Sequence, residues 1–425
     1  MKSQIFIIIL LVIQFAWSQP GERGGSRDRR SLIPHGAIRL RPYPVIASTS
    51  EYKVYLLVEI IYDVMQFTLE NDIYHAAIET EFIFKEEDSK EVFSKIWESQ
   101  CQLPDYETTN RRNQFFLTYD SLMLPPGKYK ITFRYQDLKG KQKSSMDLNF
   151  QLPEIGNIYA ALPLFLNADT ENELPILGNI PQPLATLTHV PLNKSLQIYL
   201  QTYIPGNSQA KAKITISPKD NSSELYSIDT LLQSVNNRIS LILDPPILQW
   251  KEGGYIFKLN IKTENDSLIQ QSPFDIIWFF KPRSLTSLEY AVRPLEMILP
   301  KDEYKKLNSG GKSERKEKFN TFWEEKDPTP ETAFNELMYE FYTRVDSVDM
   351  IYGTKNRTYG WRTDPGKIII MYGDPNEVDD QSLNPIQPYL RWTYFMPDRI
   401  LIFTFEAIEG RKKYRLVNEE EKSRQ

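Results

Sequence analysis

The chain has 425 residues, with 51 Lys and Arg against 56 Asp and Glu, and its formal net charge is −5. This balance lacks the basic excess that marks nucleic-acid-binding domains, so no nucleic-acid partner is expected. The single cysteine, Cys101, excludes an intramolecular disulfide framework and is expected to be a small buried apolar residue. The length suggests roughly two to four domains. An aromatic content of 12% with 28 prolines favours a mostly β fold.

Residues 1–18 have the pattern of a cleavable signal peptide. Lys2 precedes an apolar run from Ile5 to Ile13, and Ala16 and Ser18 are the small residues that cleavage requires. The apolar run is too short for a membrane anchor, because a hydrocarbon core about 30 Å thick needs roughly 20 helical residues. We therefore predict a secreted mature chain that starts at Gln19, has no transmembrane helix and is periplasmic or extracellular.

Residues 19–45 are predicted to form a flexible basic leader. The segment holds six arginines, and its only apolar residues before Ala37 are Leu32 and Ile33. Such composition is typical of a solvated tail, although its charge could also contact an anionic surface.

Residues 46–153 are predicted to form a first antiparallel β-sandwich module. Short alternating runs of apolar and polar residues indicate half-buried strands. In one of them Tyr129, Ile131 and Phe133 lie on one face, and charged or hydroxyl side chains lie on the other. The runs are Tyr52–Val58, Ile73–Phe84, Gln114–Thr118 and Lys128–Tyr135.

Residues 154–282 are predicted to form a second module of the same kind, because alternating runs continue and helical periodicity is missing. The apolar strand Phe274–Phe280 closes it, and Lys281-Pro282 breaks that strand. The other runs are Leu192–Tyr203, Ala210–Ile216, Arg238–Leu243 and Tyr255–Ile261.

From residue 283 to residue 425 the pattern predicts an α+β domain. Apolar residues recur at helical spacings from Leu285 onward. Thr329 suits a helix N-cap and Pro330 suits the first turn, so we predict a helix that starts there and ends near Gly353.

A further strand is predicted after this helix, from Lys367 to Met371, followed by strands at Leu390–Phe395, Ile400–Phe405 and Arg411–Val417. The first of these runs stands between two turn sequences, Asp364-Pro365-Gly366 and Asp374-Pro375-Asn376. Directly before the first turn stands the string Gly360-Trp361-Arg362-Thr363-Asp364.

This block resembles the GWxTD domain family. The resemblance covers about residues 283–417 and rests on several short elements in one order. These elements are Phe322-Trp323, Asp327-Pro328-Thr329-Pro330, the amphipathic helix, Gly360–Asp364, and Tyr372-Gly373-Asp374-Pro375-Asn376-Glu377. In the family the second turn usually reads Gly-Pro-Pro-Asp-Glu, so Asp374 and Asn376 depart from the pattern while keeping the turn. The resemblance implies an exported bacterial protein with β-rich modules ahead of this domain, and it supplies no established catalytic residues.

The motif has two interpretations. In the structural one, Asp364 accepts hydrogen bonds from the turn backbone, Pro365 presets φ, Gly366 takes a positive φ, and Gly360 gives Trp361 room to pack beneath the sheet. In the functional one, the motif lines one end of the sheet and holds a sugar, a peptide or a cation. The candidate residues are Gly360, Trp361, Arg362, Thr363, Asp364, Pro365, Gly366, Gly373, Asp374, Pro375 and Glu377.

No cofactor or metal is predicted, because His35, His75 and His189 lack the spacing of metal ligands. We expect a non-enzymatic interaction or envelope-scaffold protein whose partners are other exported proteins. One alternative is a hydrolase, which requires Asp374 and Glu377 to converge in one cleft. The other alternative is a carbohydrate- or peptide-binding module, which requires Trp361 or Trp392 to be exposed on a concave face.

Overall fold

The computed structural model describes most of the chain from residue 37 onward. The predicted signal peptide and residues 19–36 of the predicted leader lie outside the described residues. The described residues are 37–423 apart from 111–113, 157, 170–172, 175–176, 178–179, 186–187, 208, 222, 355–358, 385 and 409–413.

The protein is a mostly-β multidomain protein with antiparallel sheets and a C-terminal group of helices. The strands are β1 (Ile38–Ile46), β2 (Tyr52–Ile61), β3 (Thr68–Glu70), β4 (Ile73–Glu86), β5 (Val92–Leu103), β6 (Phe115–Leu124), β7 (Gly127–Asp137), β8 (Lys143–Leu152), β9 (Tyr159–Ala160), β10 (Leu164–Asn167), β11 (Glu173–Leu174), β12 (Ile180–Pro181), β13 (His189–Pro191), β14 (Leu196–Tyr203), β15 (Gln209–Pro218), β16 (Tyr226–Gln233), β17 (Arg238–Leu243), β18 (Gly253–Lys262), β19 (Ser267–Ile277), β20 (Glu377–Gln381), β21 (Tyr389–Phe395), β22 (Arg399–Ala407) and β23 (Tyr414–Ser423). The α-helices are α1 (Tyr106–Thr109), α2 (Leu288–Val292), α3 (Lys301–Leu307), α4 (Lys312–Glu324), α5 (Glu336–Tyr352) and α6 (Asp364–Tyr372).

The chain divides into two compact units, one up to Phe279 and one from Phe280 onward. The division lies close to the predicted start of the α+β domain at residue 283. In the N-terminal unit the first sandwich consists of two sheets. Sheet I has the order β1-β2-β6, and in sheet II β4 pairs with β3, β5 and β7 while β7 pairs with β8. The predicted alternation in β7 is confirmed, since Tyr129, Ile131 and Phe133 are all buried in the core between these sheets.

The second sandwich also has two sheets. Sheet III has the order β10-β14-β17, and the short strand β9 also pairs with β14. Sheet IV has the order β13-β19-β18-β15-β16. The predicted antiparallel pairing holds except at β13, which pairs parallel to β19.

Sheet I is buried on both faces, and this joins the two sandwiches into one compact unit. Successive side chains of a strand point to opposite faces. Leu56 and Val58 of β2 belong to the core of the first sandwich, whereas Leu57 packs with Leu164 and Tyr199 of the second. Strand β2 is buried along almost its whole length because one of its faces packs in the first sandwich and the other packs against the second.

The prediction of a flexible leader is wrong for residues 38–45, which form most of β1. Arg39 lies 3.5 Å from Glu59 on β2, and the buried Arg41 donates a 2.7 Å hydrogen bond to the Pro163 carbonyl. Both partners are distant in sequence, so the composition of the segment alone does not reveal them. β1 is an edge strand, which is where a sheet tolerates prolines such as Pro42.

The C-terminal unit packs its helices against one face of sheet V, an antiparallel meander with the order β20-β21-β22-β23. Trp392, Phe403 and Phe405 are buried on that face, in one core with α5 and α6. The predicted end of α5 near Gly353 is confirmed, since Gly353 is its C-cap.

The predicted start of α5 at Thr329 and Pro330 is wrong. Asn335 is the N-cap, because its side-chain oxygen accepts from Met338 N at 2.7 Å. Its amide nitrogen also donates to the Trp323 carbonyl at 2.7 Å, which ties the cap to the end of α4.

Among the residues that the structure describes, no helix is both long and apolar enough to cross a membrane. Cys101 is buried in the first core, as predicted, and burial raises the pKa of its thiol to about 12. A thiol with such a pKa stays protonated near neutral pH and is a poor nucleophile.

Candidate functional site

The motif Gly360–Asp364 forms the entry to a helix, not to a strand. The predicted strand from Lys367 to Met371 is wrong, since these residues lie in α6. A short apolar run has the same pattern in a buried strand and in a buried helix. Here the residues before the run distinguish the helix from the strand, because Thr363 is the N-cap and Pro365 lies in the first helical turn.

Thr363 closes this helix entry with two hydrogen bonds. Its hydroxyl accepts from Gly366 N at 3.2 Å and donates to the Gly360 carbonyl at 2.6 Å. The side chain therefore satisfies a helix-terminal amide and at the same time holds the Gly360–Arg362 turn against α6.

We expect Thr363→Ala to lower the free energy of unfolding of the C-terminal unit by about 1 kcal/mol, because the N-cap hydrogen bond is lost. Thr363→Ser is the matched control, since it keeps the hydroxyl. Urea titration of the full chain, monitored by amide hydrogen exchange in α6, measures both variants. Equal loss in the serine variant would show that the methyl group, and not the cap, is responsible.

Gly360 and Gly366 allow three backbone segments to meet. A Cβ on Gly360 would lie 2.7 Å from Asp349 Cα and closer still to the Val348 carbonyl of α5. A Cβ on Gly366 would lie 2.8 Å from the Gly360 carbonyl carbon and 3.0 Å from Thr363 Oγ1. Gly366 is not among the residues with positive φ, so the expectation that it needs such a conformation is wrong. Close approach is what requires glycine at both positions.

Trp361 is buried in the core of the C-terminal unit, with 2% of its surface exposed. Its ring stacks on Tyr359, with ring centroids 5.3 Å apart. The Arg362 guanidinium lies 4.8 Å from the Trp361 ring centroid and is paired with Glu296 at 2.9 Å. Arg362 thus covers the tryptophan from the solvent side, and its charge is already partnered.

Asp349 is a site residue that the sequence reasoning missed. Its Oδ1 accepts from Gly360 N at 2.5 Å and from Trp361 N at 3.4 Å. Burial raises the pKa of the Asp349 carboxyl above its ordinary value of 3.8, while the two amide hydrogen bonds act in the opposite direction. The motif backbone is therefore anchored to the last turn of α5 by one carboxylate.

The raised pKa of Asp349 predicts a pH dependence of stability. The folded state holds this proton more tightly than the unfolded state, so the contribution of Asp349 to the free energy of unfolding falls as pH rises through the interval above 3.8. Asp349→Asn keeps an acceptor oxygen but does not titrate, so the variant should lose less stability over that interval than the unmodified protein. Urea midpoints at successive pH values test this, and identical pH profiles would contradict it.

The end of α6 is fixed by two further contacts. Gly373, the C-cap, has φ 80°, and its carbonyl accepts from Tyr394 Oη at 2.9 Å. Arg344 of α5 donates to the Ile370 carbonyl at 3.1 Å, which places a cation at the negative end of the helix dipole.

Asp364 and Asp374 have roles different from those expected. Asp364 is the first residue of α6, and its Oδ2 accepts from Leu416 N of β23 at 3.0 Å while Oδ1 lies 3.1 Å from Lys367 Nζ. The carboxylate therefore joins the helix to the sheet. Asp374 is exposed, and Pro375, half-buried beside it, leads from α6 to β20.

Asn376 makes the contacts that hold this second turn to the sheet. Its backbone N–H donates to the Thr393 carbonyl at 3.0 Å, and its side-chain oxygen accepts from Phe395 N at 2.8 Å. Glu377 begins β20 and is exposed on the outer face of sheet V, in register with Thr393 of β21.

The carbohydrate- or peptide-binding alternative requires an exposed tryptophan ring, and these positions do not offer one. Trp361 and Trp392, with 2% and 3% exposed, offer no open ring face for stacking on a sugar. Asp374 and Glu377, the two carboxylates of the hydrolase alternative, are both exposed. Within the described ranges, no group of three or more His, Cys, Asp or Glu side chains is placed to hold a metal ion.

The fold and the motif geometry define a mostly-β protein with a C-terminal α+β domain built around a helix-entry motif. The family model of the GWxTD domain matches residues 270–425, so this C-terminal part of the chain is a GWxTD domain. None of the curated proteins matches the chain.

Proposed function

We propose that this is an exported, non-enzymatic interaction or envelope-scaffold protein whose partners are other exported or envelope proteins. The pattern of residues 1–18 supports export. β-sandwiches in series support an interaction role, because many cell-surface domains share this architecture.

The observation that carries the proposal is that the motif side chains stabilise the fold through packing and hydrogen bonds. Trp361 is a core residue, Thr363 caps α6, and Asp364 accepts from the backbone of β23. Carboxylate-based hydrolysis needs a carboxyl group within hydrogen-bond reach of the substrate proton that it transfers. Both carboxylate oxygens of Asp364 already have a partner within the fold, Leu416 N and Lys367 Nζ.

The surface of the C-terminal unit supports a protein partner. The loop after β20 exposes two large apolar side chains, Leu383 at 76% and Ile386 at 93%. Exposed apolar groups rimmed by polar residues often mark protein contacts. Strand β23 is also an edge strand of ten residues, which can pair with an added strand.

A site-specific photocrosslinker tests the interaction. We would place it at Ile386 and, as a matched control, at Met350, which is 78% exposed on α5. In cells that export the protein, we expect a discrete crosslinked product with one envelope protein from position 386 and none from position 350. No discrete product at position 386, or the same products at both positions, would contradict the proposed contact.

A turnover assay tests the non-enzymatic part. The purified protein is offered peptides, glycans and esters, beside the double variant Asp374→Asn/Glu377→Gln, in which both replaced residues are exposed. We expect no saturable turnover from either protein. Turnover that the double variant loses would replace the proposal with the hydrolase alternative.

A further inference from the structure

A cleft opens between the two inner sheets of the N-terminal unit. In the middle of their interface sheets I and III make a closed apolar contact, with Leu57, Leu164 and Tyr199 buried together. Beside the ends of the β1–β2 and β14–β17 ladders the sheets leave a cleft of about 360 Å³. This volume falls within the range of small-molecule sites, roughly 300–1,000 Å³.

Both sheets contribute polar side chains to this cleft. Sheet I contributes Lys53 and Tyr55, and sheet III contributes Gln201 and Arg238. Val45 supplies an apolar wall and is the register partner of Lys53, so the two side chains share one face. The cleft therefore combines two cations, an amide, an aromatic ring and an apolar surface.

Each of the two cations at the cleft has a partner that is not a carboxylate. Lys53 Nζ lies 5.0 Å from the Tyr55 ring centroid, a cation–π contact. The Arg238 guanidinium donates to the Ala47 carbonyl, which fixes its position. Across the part of the chain that the structure describes, neither side chain forms a salt bridge. Two such cations in one small cleft favour an anionic ligand.

A hydrogen-bond network organises the sheet III wall. Gln201 Nε2 donates to Tyr199 Oη at 3.1 Å, and Tyr199 Oη lies 3.0 Å from Ser240 Oγ. The Gln201 amide is therefore oriented before any ligand arrives, and this lowers the entropy cost of binding.

We propose that this cleft binds a small ligand that carries a carboxylate beside an apolar segment. The carboxylate pairs with Lys53 and Arg238, and the apolar segment lies on Val45 and the Tyr55 ring. A carboxylate of this kind occurs in the acidic side chain of a peptide and in a uronic acid, so both are used as probes.

Calorimetric titration of the full chain tests the site. The probes are an acetylated, amidated Gly-Glu-Gly peptide and glucuronate, each compared with its neutral analogue, the Gly-Gln-Gly peptide or glucose. We expect one carboxylate probe to bind and its neutral analogue to bind about tenfold more weakly or not at all. The probe that binds identifies the source of the carboxylate.

Two double variants separate a built site from general charge attraction. Lys53→Gln/Arg238→Gln should weaken the carboxylate probe about tenfold or more. Lys258→Gln/Lys262→Gln removes the same charge from exposed positions on β18 and should leave binding unchanged. The thermal midpoint of each variant shows that it is folded. The proposal is overturned if neither carboxylate probe binds, if the neutral analogues bind equally well, or if both double variants weaken binding equally.

Discussion

Replacing Gly360 by alanine is expected to cost the C-terminal unit about 3 kcal/mol of its free energy of unfolding. The added methyl group would lie 2.7 Å from Asp349 Cα and closer to the Val348 carbonyl, all backbone atoms of α5. A helix backbone cannot rotate away as a flexible side chain can, so α5 and the motif turn must separate. That separation also breaks the hydrogen bonds from Gly360 N and Trp361 N to Asp349.

Gly311→Ala is the matched control for this substitution. Gly311 lies in the same unit, as the N-cap of α4, and a Cβ there would meet no atom within 4 Å. Its φ of −72° suits any residue, so the control should cost at most about 1 kcal/mol, which is the loss expected because alanine is a poorer N-cap than glycine. Amide hydrogen exchange of α5 and α6 in the full chain measures both variants. Equal protection in the two would show that α5 accommodates the methyl group.

The strands were largely predictable from the sequence because their signal is local. In β7, charged residues alternate with Tyr129, Ile131 and Phe133, and a period of two has no competing interpretation. β1 has no such local signal. Arg39 and Arg41 resemble the residues of a solvated tail until Glu59 and the Pro163 carbonyl are brought to them by the fold.

The sequence does not predict the conformation of the segment that follows the motif. The run Ile368, Ile369, Ile370 favours a strand by β-branching, and tertiary packing against α5 and sheet V overrides that preference. One usable local signal was present, namely Thr363 and Pro365 as an N-cap and first turn. No local signal identifies Asp349 as the acceptor of the motif amides, because it lies eleven residues earlier and on another element.

Replacing Trp361 by alanine is expected to destabilise the C-terminal unit by about 3–5 kcal/mol, the range for large buried aromatic side chains. The side chain is 2% exposed and stacks on Tyr359, so its removal leaves a cavity and also frees the Arg362 guanidinium from its ring contact. Trp361→Phe should cost less, since part of the ring volume remains. Met350→Ala, at a position 78% exposed, should stay within about 0.5 kcal/mol of the unmodified protein.

The same variant separates a packing role from a binding role for the motif. If Trp361 holds the core together, Trp361→Ala lowers the urea midpoint and the hydrogen-exchange protection of α5 and α6 together, and Trp361→Phe gives an intermediate value. If Trp361 were a ligand platform, the alanine variant would keep its midpoint and lose only binding. Retained stability in Trp361→Ala would therefore contradict the assignment of the motif to the core, and with it the main support for a non-enzymatic role. Gly360→Ala is an independent check, because it disturbs the same packing through the backbone without removing the Trp361 side chain.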